Sequence, residues 1–370
     1  MSSLQKELLK KSLPPTASIA GRKRKGHQYT PLPWTSHFDG CQDVKVHSRG
    51  SFRVYLTGDT GPVVFLLHGG GHSAFSWCLF TSALMRLCEC QVVAMDIRGH
   101  GSTMTAAEDD LSIDTLIRDV EAVVTGLYGN EAPPLILMGH SMGGAIVLRS
   151  ANRIASLVGV VVIDVVEGTA MDSLSGMQSF LSSRPKCFRS LEHAIEWSIR
   201  SGQLRNVTSA RISIPGQVKR QGDAVSVDVR EEIVQSTADG VATTTTSSLD
   251  TISEDDHAMP APPPPTSTVV YDWRVDLSKT EPYWRGWYEG MSQVFLSCPG
   301  SKLLILAGVD RLDKELTIAH MQGKFQLHVM AGCGHVVHED NPDKVAQIVG
   351  TYLVRHKFAK GKEIQVPLIP

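Results

Sequence analysis

Along the chain, short uninterrupted apolar runs alternate with stretches of helical periodicity. Val63–Leu67, Gln91–Met95, Leu135–Met138 and Leu157–Ile163 are such runs, the pattern of strands buried on both faces of a parallel sheet. Between Ser112 and Tyr128, Ile113, Leu116, Ile117, Val120, Val123, Val124 and Leu127 recur three and four positions apart, which predicts a helix with one apolar face. Ahead of these elements, Asp43–His47 and Phe52–Leu56 alternate like the two strands of a hairpin. Strands alternating with helices predict an α/β protein with a doubly wound, mostly parallel sheet.

The rhythm stops after Ile163 and resumes with Leu303–Leu306 and Phe325–Val329. A last helix follows, capped by Asn341, opened by Pro342, with Val345, Ile348, Val349, Tyr352 and Leu353 on its apolar face. Residues 31–164 and 299–357 therefore read as two parts of one core, and residues 165–298 as a helical cap inserted between two sheet strands. Within the insertion, Leu191–Arg205 predicts a helix, and Trp273, Tyr283, Trp284, Trp287 and Tyr288 crowd its end. Of these, Trp273, Trp284 and Trp287 either line an acyl pocket or form the cap's own core; the core is the preferred reading. Residues near 221–268, with Thr243–Thr246, Glu254, Asp255, Asp256 and Pro262–Pro265, hold too little apolar surface to offset chain entropy, and disorder is expected there. Residues 1–30 read as a disordered basic tail, whose run Arg22-Lys23-Arg24-Lys25 is solvated or, alternatively, a nuclear-import signal. Residues 358–370 read as a C-terminal tail.

Composition narrows the classes of function. The 370 residues are 42% hydrophobic and 20% charged with a net charge of −2, ordinary for a globular protein and without the basic excess of a nucleic-acid binder. Met1–Pro15 lacks the apolar segment of a secretory signal, and no apolar run is long enough to span a bilayer, so no membrane partner is expected. The seven cysteines show neither a disulfide framework nor zinc-ligand spacing, which suits a reducing cytoplasmic or nuclear setting. Nothing suggests an obligate dimer, and a monomer is expected.

Three segments carry chemistry. Gly139-His140-Ser141-Met142-Gly143-Gly144 fits G-x-S-x-G and sits between a predicted strand and a helix containing Ala145–Leu148. A turn that tight exposes a nucleophilic hydroxyl and leaves room only for glycine beside it. The reading is Ser141 as nucleophile. His68-Gly69-Gly70-Gly71-His72-Ser73 follows the strand Val63–Leu67. A glycine loop lets backbone amides approach a developing oxyanion, where each donor contributes about 10²–10³ in rate. Gly70 and Met142 are the expected donors, with Gly69 and Gly71 as alternates for the first. The loop lacks the Lys-Ser/Thr pair of a Walker motif. Cys333-Gly334-His335-Val336-Val337-His338-Glu339-Asp340 follows the last strand. A serine hydroxyl needs a nearby base, and chain order in this arrangement is serine, acid, histidine, so His335 is the expected base and His338 its rival. A metal site built on the two histidines lacks further ligands.

The acid has two candidates: Asp164, ending the strand Leu157–Ile163, and Asp310, with Asp313 beside it, after Leu303–Leu306. Spacing alone slightly favours Asp310. A fourth segment, Asp96-Ile97-Arg98-Gly99-His100-Gly101, reads as a structural turn in which Arg98 fixes neighbouring loops.

Together these segments resemble the protein phosphatase methylesterase 1 family of the α/β-hydrolase superfamily, from Tyr29-Thr30-Pro31-Leu32-Pro33-Trp34 through Arg355. The telling stretches are His68–Trp77, Gly139–Ile146, Ile163–Asp172, Leu306–Lys314 and Cys333–Asp340, of which the Asp164 segment and Ala307–Asp313 are much more specific than a generic hydrolase pattern. The resemblance implies an α/β-hydrolase fold and removal of the methyl ester from the C-terminal leucine of the protein phosphatase 2A catalytic subunit. It implies the triad Ser141, Asp164 and His335, and so replaces Asp310 with Asp164 as acid. No metal or organic cofactor is implied. The family's acidic cap insertion is here rich in threonine and proline instead. A generic carboxylesterase or lipase would share the same catalytic residues; a phosphatase-binding regulator with secondary hydrolase activity is the alternative outside enzymology.

Overall fold

The computed structural model describes residues 28–129, 131–222 and 269–362. The expectations for the run Arg22–Lys25, for residues near 223–268 and for most of both tails lie outside the described residues.

The central sheet is built from β1 (Gly40–Val46), β2 (Gly50–Thr57), β3 (Val63–Leu67), β4 (Gln91–Met95), β5 (Met104–Thr105), β6 (Leu135–His140), β7 (Leu157–Ile163), and, after a long excursion, β11 (Ser301–Leu306) and β12 (Gln326–Val329). Its order is β1-β2-β4-β3-β6-β7-β11-β12, with β5 added beside β2. β1 and β2 form the antiparallel hairpin expected from their alternation, and β2 meets β4 antiparallel. From β4 to β12 every pairing is parallel. The runs of β3, β4, β6, β7 and β11 are apolar because both faces of these strands are covered, whereas the edge strand β12 leaves His328 and Val329 exposed. Val63, Phe65 and Leu67 of β3 enter one buried cluster, and Val64 and Leu66 enter the other.

The helices α1 (Cys78–Leu87) and α11 (Pro342–Arg355) supply Phe80, Leu84, Val345, Val349 and Tyr352 to one face. On the other lie α2 (Ile113–Tyr128) and α3 (Met142–Ser150), contributing Leu116, Val120, Val123, Ile146 and Val147. Helix α2 covers the stretch the periodicity predicts, and the Asn341 side chain caps α11 by accepting from the Lys344 amide at 3.3 Å. No helix of the described residues is long and apolar enough to cross a membrane.

Between β7 and β11 run α4 (Glu167–Ser182), the short strand β8 (Cys187–Phe188), α5 (Leu191–Arg200), α6 (Val207–Ser213), β9 (Val218–Arg220), β10 (Tyr271–Trp273), α7 (Glu281–Tyr288) and α8 (Met291–Ser297). Helix α5 ends at Arg200, sooner than Leu191–Arg205 suggests, and Gly202 follows in the left-handed region. β8, β10 and β9 form a small separate sheet over a cluster of Phe188, Leu191, Ile195, Ala210, Ile214 and Val218. Trp273 packs edge-on to Phe188 and Trp197, and Arg184 lies over its face at 3.6 Å. Trp284 and Trp287 are buried in the main core, their indole N–H groups donating to Thr280 Oγ1 and the Leu111 carbonyl. Trp273 thus packs within the cap's own cluster, as preferred, whereas Trp284 and Trp287 pack into the main core instead. Helix α9 (Lys314–Met321) links β11 to β12, and the one-turn α10 (Val337–Asp340) precedes α11. Beyond α11, residues 358–362 lie against the end of α1: the Glu89 amide donates to the Lys360 carbonyl and the Lys362 amide to that of Leu87.

Candidate active site

Ser141 stands between β6 and α3 with φ 52° and ψ −120°. An L-residue rarely adopts that conformation, which costs on the order of 1–3 kcal/mol and persists only where the surroundings enforce it. The enforcement is visible. The Ser141 amide donates to the Ile163 carbonyl at 3.0 Å, and its own carbonyl accepts from Gly144 at 2.9 Å. A Cβ on Gly139 would lie 2.2 Å from the Gly143 carbonyl oxygen, and one on Gly143 would lie 2.3 Å from that of Leu67. Both glycines are therefore demanded by backbone crossing backbone. The hydroxyl of Tyr288, at the end of α7, lies beside Ser141, and burial pushes the phenol up to about 12.

The glycine loop lies directly over this turn. A Cβ on Gly69 would meet His140 Nδ1 at 2.8 Å and Ser141 Cβ at 3.3 Å, and the nearest neighbours of one on Gly70 would be Leu277 and the Met142 sulfur. The Gly71 amide is already used, donating to His100 Nε2 at 2.9 Å. His100 in turn donates through Nδ1 to the Arg98 carbonyl, 2.8 Å away. His68 works similarly: Nε2 accepts from the Ile97 amide at 3.0 Å, which leaves Nδ1 to donate to the Gly69 carbonyl. Burial holds both imidazoles below the ordinary histidine range, His100 at about 4. They act as neutral struts, a role that the two segments carrying them do not by themselves point to. The Arg98 guanidinium is buried and paired through two nitrogens with Asp119, and also reaches the Ala107 carbonyl, so this turn ties loops together as its sequence suggests.

Asp164 follows β7 with φ 53°. Its side chain is fully buried. Oδ1 accepts from the Ala307 amide at 2.7 Å, and Oδ2 accepts from His335 Nδ1 at 2.8 Å and from Arg311 Nη1. Asp310, which spacing alone favours, lies exposed on the 3₁₀ turn Val309–Arg311, and Asp313 caps α9 through the Leu316 amide while accepting from Ser292 Oγ. The structure therefore brings together Asp164 and His335, not Asp310 and His335.

The imidazole of His335 is half exposed. Its backbone carbonyl accepts from His140 Nε2 at 2.9 Å. His338, the rival base, is fully buried and stacked on Trp77 with ring centroids 4.0 Å apart. Burial and the neighbouring histidines keep it well below the ordinary range. Behind these rings the buried Glu339 accepts from Ser209 Oγ of α6 at 2.7 Å and lies 3.5 Å from His72 Nδ1 of the glycine loop. Among the described residues, no group of three or more His, Cys, Asp or Glu is arranged to hold a metal.

A sheet of this order with a strained serine at its β6–α3 turn defines a class, the α/β hydrolases. Residues 63–348 match the alpha/beta hydrolase family. Among solved structures, E-2-(acetamidomethylene)succinate hydrolase superposes with a TM-score of 0.62 at 15% identity, over 86% of this chain and 100% of that one. An esterase of Mycobacterium tuberculosis gives 0.56 at 17%, over 85% and 92%; at such identities these likenesses concern the fold alone. Curated relatives are much nearer. Protein phosphatase methylesterase 1 of Mus musculus is 51% identical over 92% of this chain and 88% of its own length. The human protein of that name is 50% identical over 92% and 88%, and a probable protein phosphatase methylesterase 1 of Caenorhabditis elegans is 41% identical over 94% and 83%. The chain belongs to the protein phosphatase methylesterase 1 family and is a carboxylic ester hydrolase.

Proposed function

We propose that this enzyme hydrolyses the methyl ester on the C-terminal leucine of the protein phosphatase 2A catalytic subunit, which is both substrate and binding partner. Ser141 is the nucleophile, His335 the base, Asp164 the acid, and the amides of Gly70 and Met142 the oxyanion donors. The observation that supports this reading most is the Asp164–His335 bond of 2.8 Å beside a strained serine turn in a chain of this family. With the Gly71 amide taken by His100, Gly70 is the better choice of first donor.

The chemistry follows from these roles. His335 Nε2 takes the hydroxyl proton as Ser141 Oγ attacks the ester carbonyl, while Asp164 holds the imidazole through Nδ1–H and stabilises the imidazolium. The oxyanion forms beside the two amides. The imidazolium then gives its proton to the leaving methoxide, methanol departs, and an acyl-enzyme remains. Water, activated by His335, attacks the acyl carbon; Ser141 regains its proton and the free carboxylate leaves. The protein acts as a monomer in the cytoplasm or nucleus, a setting supported by its seven free cysteines.

The test is methanol release from the C-terminally methylated phosphatase 2A catalytic subunit. Wild type should demethylate it, and Ser141→Ala should fall by roughly 10⁴–10⁶ in turnover. Hydrolysis of small esters with no demethylation would leave an esterase without this substrate.

A further inference from the structure

One oxygen of Asp164 serves two donors. Oδ2 accepts from His335 Nδ1 at 2.8 Å and from Arg311 Nη1. The carboxylate is fully buried, whereas the Arg311 side chain is one-third exposed and the His335 side chain half exposed. A triad acid works by stabilising the imidazolium that forms on its partner. Here the single negative charge already faces a guanidinium that never deprotonates. Protonating His335 thus adds a second cation to one carboxylate oxygen instead of completing a neutral pair.

We propose that Arg311 is a positioning residue for the reaction, which by sharing one oxygen of Asp164 with His335 sets how strongly the carboxylate stabilises a proton on the imidazole. The inference rests on the reading of His335 as the base. The other groups around the imidazole do not supply this effect. His140 and His338 are buried and held well below the ordinary range. The Cys333 thiol is pushed up by burial. Asp340 is engaged by the Gly334 amide, with Arg205 4.0 Å away and bonded to the Gly332 carbonyl. Among the described residues, Arg311 is the cation that bonds the acid directly. It sits on the turn after β11, within the Leu306–Lys314 segment that carries the family resemblance, so its position is set by the strand that pairs with β7.

The experiment measures kcat/KM for an activated aryl ester from about pH 5 to 9, where a histidine base gives an acid limb, in wild type, Arg311→Met, Arg311→Lys and Ser141→Ala. Arg311→Met should move the limb upward by about one unit, the order expected on removing a cation in contact with the acid, and Arg311→Lys should return it most of the way. An unmoved limb in Arg311→Met, whatever happens to the plateau rate, overturns the inference and leaves the triad reading intact. Activity that survives in Ser141→Ala overturns the triad reading, and this inference with it. If Arg311→Met does not fold, Arg311→Gln carries the same test with the same two outcomes.

Discussion

His140 Nε2 donates to the backbone carbonyl of His335 at 2.9 Å, so the residue just before the candidate nucleophile holds the loop that carries the candidate base. The two rings lie 4.7 Å apart, and the ring of His338 lies at the same distance from that of His140. Removing the donor leaves a carbonyl without its partner, at a cost of about 1–3 kcal/mol where water cannot replace it. His140→Ala is expected to lower kcat more than it raises KM, because the loop loses its register while the substrate surface stays. Equal losses in both terms would mean that the bond organises binding rather than chemistry.

Stability should fall as pH drops below the ordinary histidine value. His68, His140 and His338 are held well below that range by burial, and His100 is held at about 4. Unfolded, each takes up a proton below about pH 6.5, whereas the folded ring stays neutral; the unfolded state therefore binds more protons and gains as pH falls. Asp96 works in the opposite sense, since burial raises it to about 6, but it is one group against four. Thermal unfolding from pH 7 to about 4.5 should show a steady fall in Tm. A flat profile would mean that the histidines are protonated in the folded state.

Gly143→Ala should damage both stability and activity. The new Cβ would stand 2.3 Å from the Leu67 carbonyl oxygen and 2.5 Å from that of His68, forcing α3 away from the strand that leads into the glycine loop. Overpacking of this kind costs about 1–3 kcal/mol, read from denaturant unfolding, and the displaced loop should take esterase activity with it. Full activity at reduced stability would separate the loop from the chemistry.

Tyr288→Phe tests the contact between the cap and the nucleophile. The buried phenol lies beside the Ser141 side chain. If the phenol holds the hydroxyl back, its removal, worth about 1 kcal/mol net, should raise the rate of Ser141 labelling by a fluorophosphonate about fivefold. A slower reaction would show instead that the phenol stabilises the transition state.

The serine turn could be read from the chain because its cause is local. Gly139 and Gly143 are glycines because backbone passes within a Cβ's reach, and that requirement leaves its mark at fixed spacing around Ser141. The strands of the parallel core were legible for a similar reason: burial on both faces demands apolar residues without interruption, as at Val63–Leu67 and Leu157–Ile163. The short strands β8, β9 and β10 had no such mark, being too brief to establish a period.

The choice between Asp164 and Asp310 required the tertiary structure. β7 and β11 are parallel neighbours with Ile163 opposite Ile305, so both acids follow the same ends of adjacent strands, and spacing treats them nearly alike. What separates them is a backbone at φ 53° that turns Asp164 inward beneath His335, and a 3₁₀ turn that leaves Asp310 in solvent. The bonds from Arg311 to Asp164 and from His140 to His335 each join residues more than a hundred positions apart. Local sequence determined the strands and helices of the core and where the serine turn would fall; packing those elements together decided which side chains meet, because hydrogen bonds between distant residues impose no period on the chain.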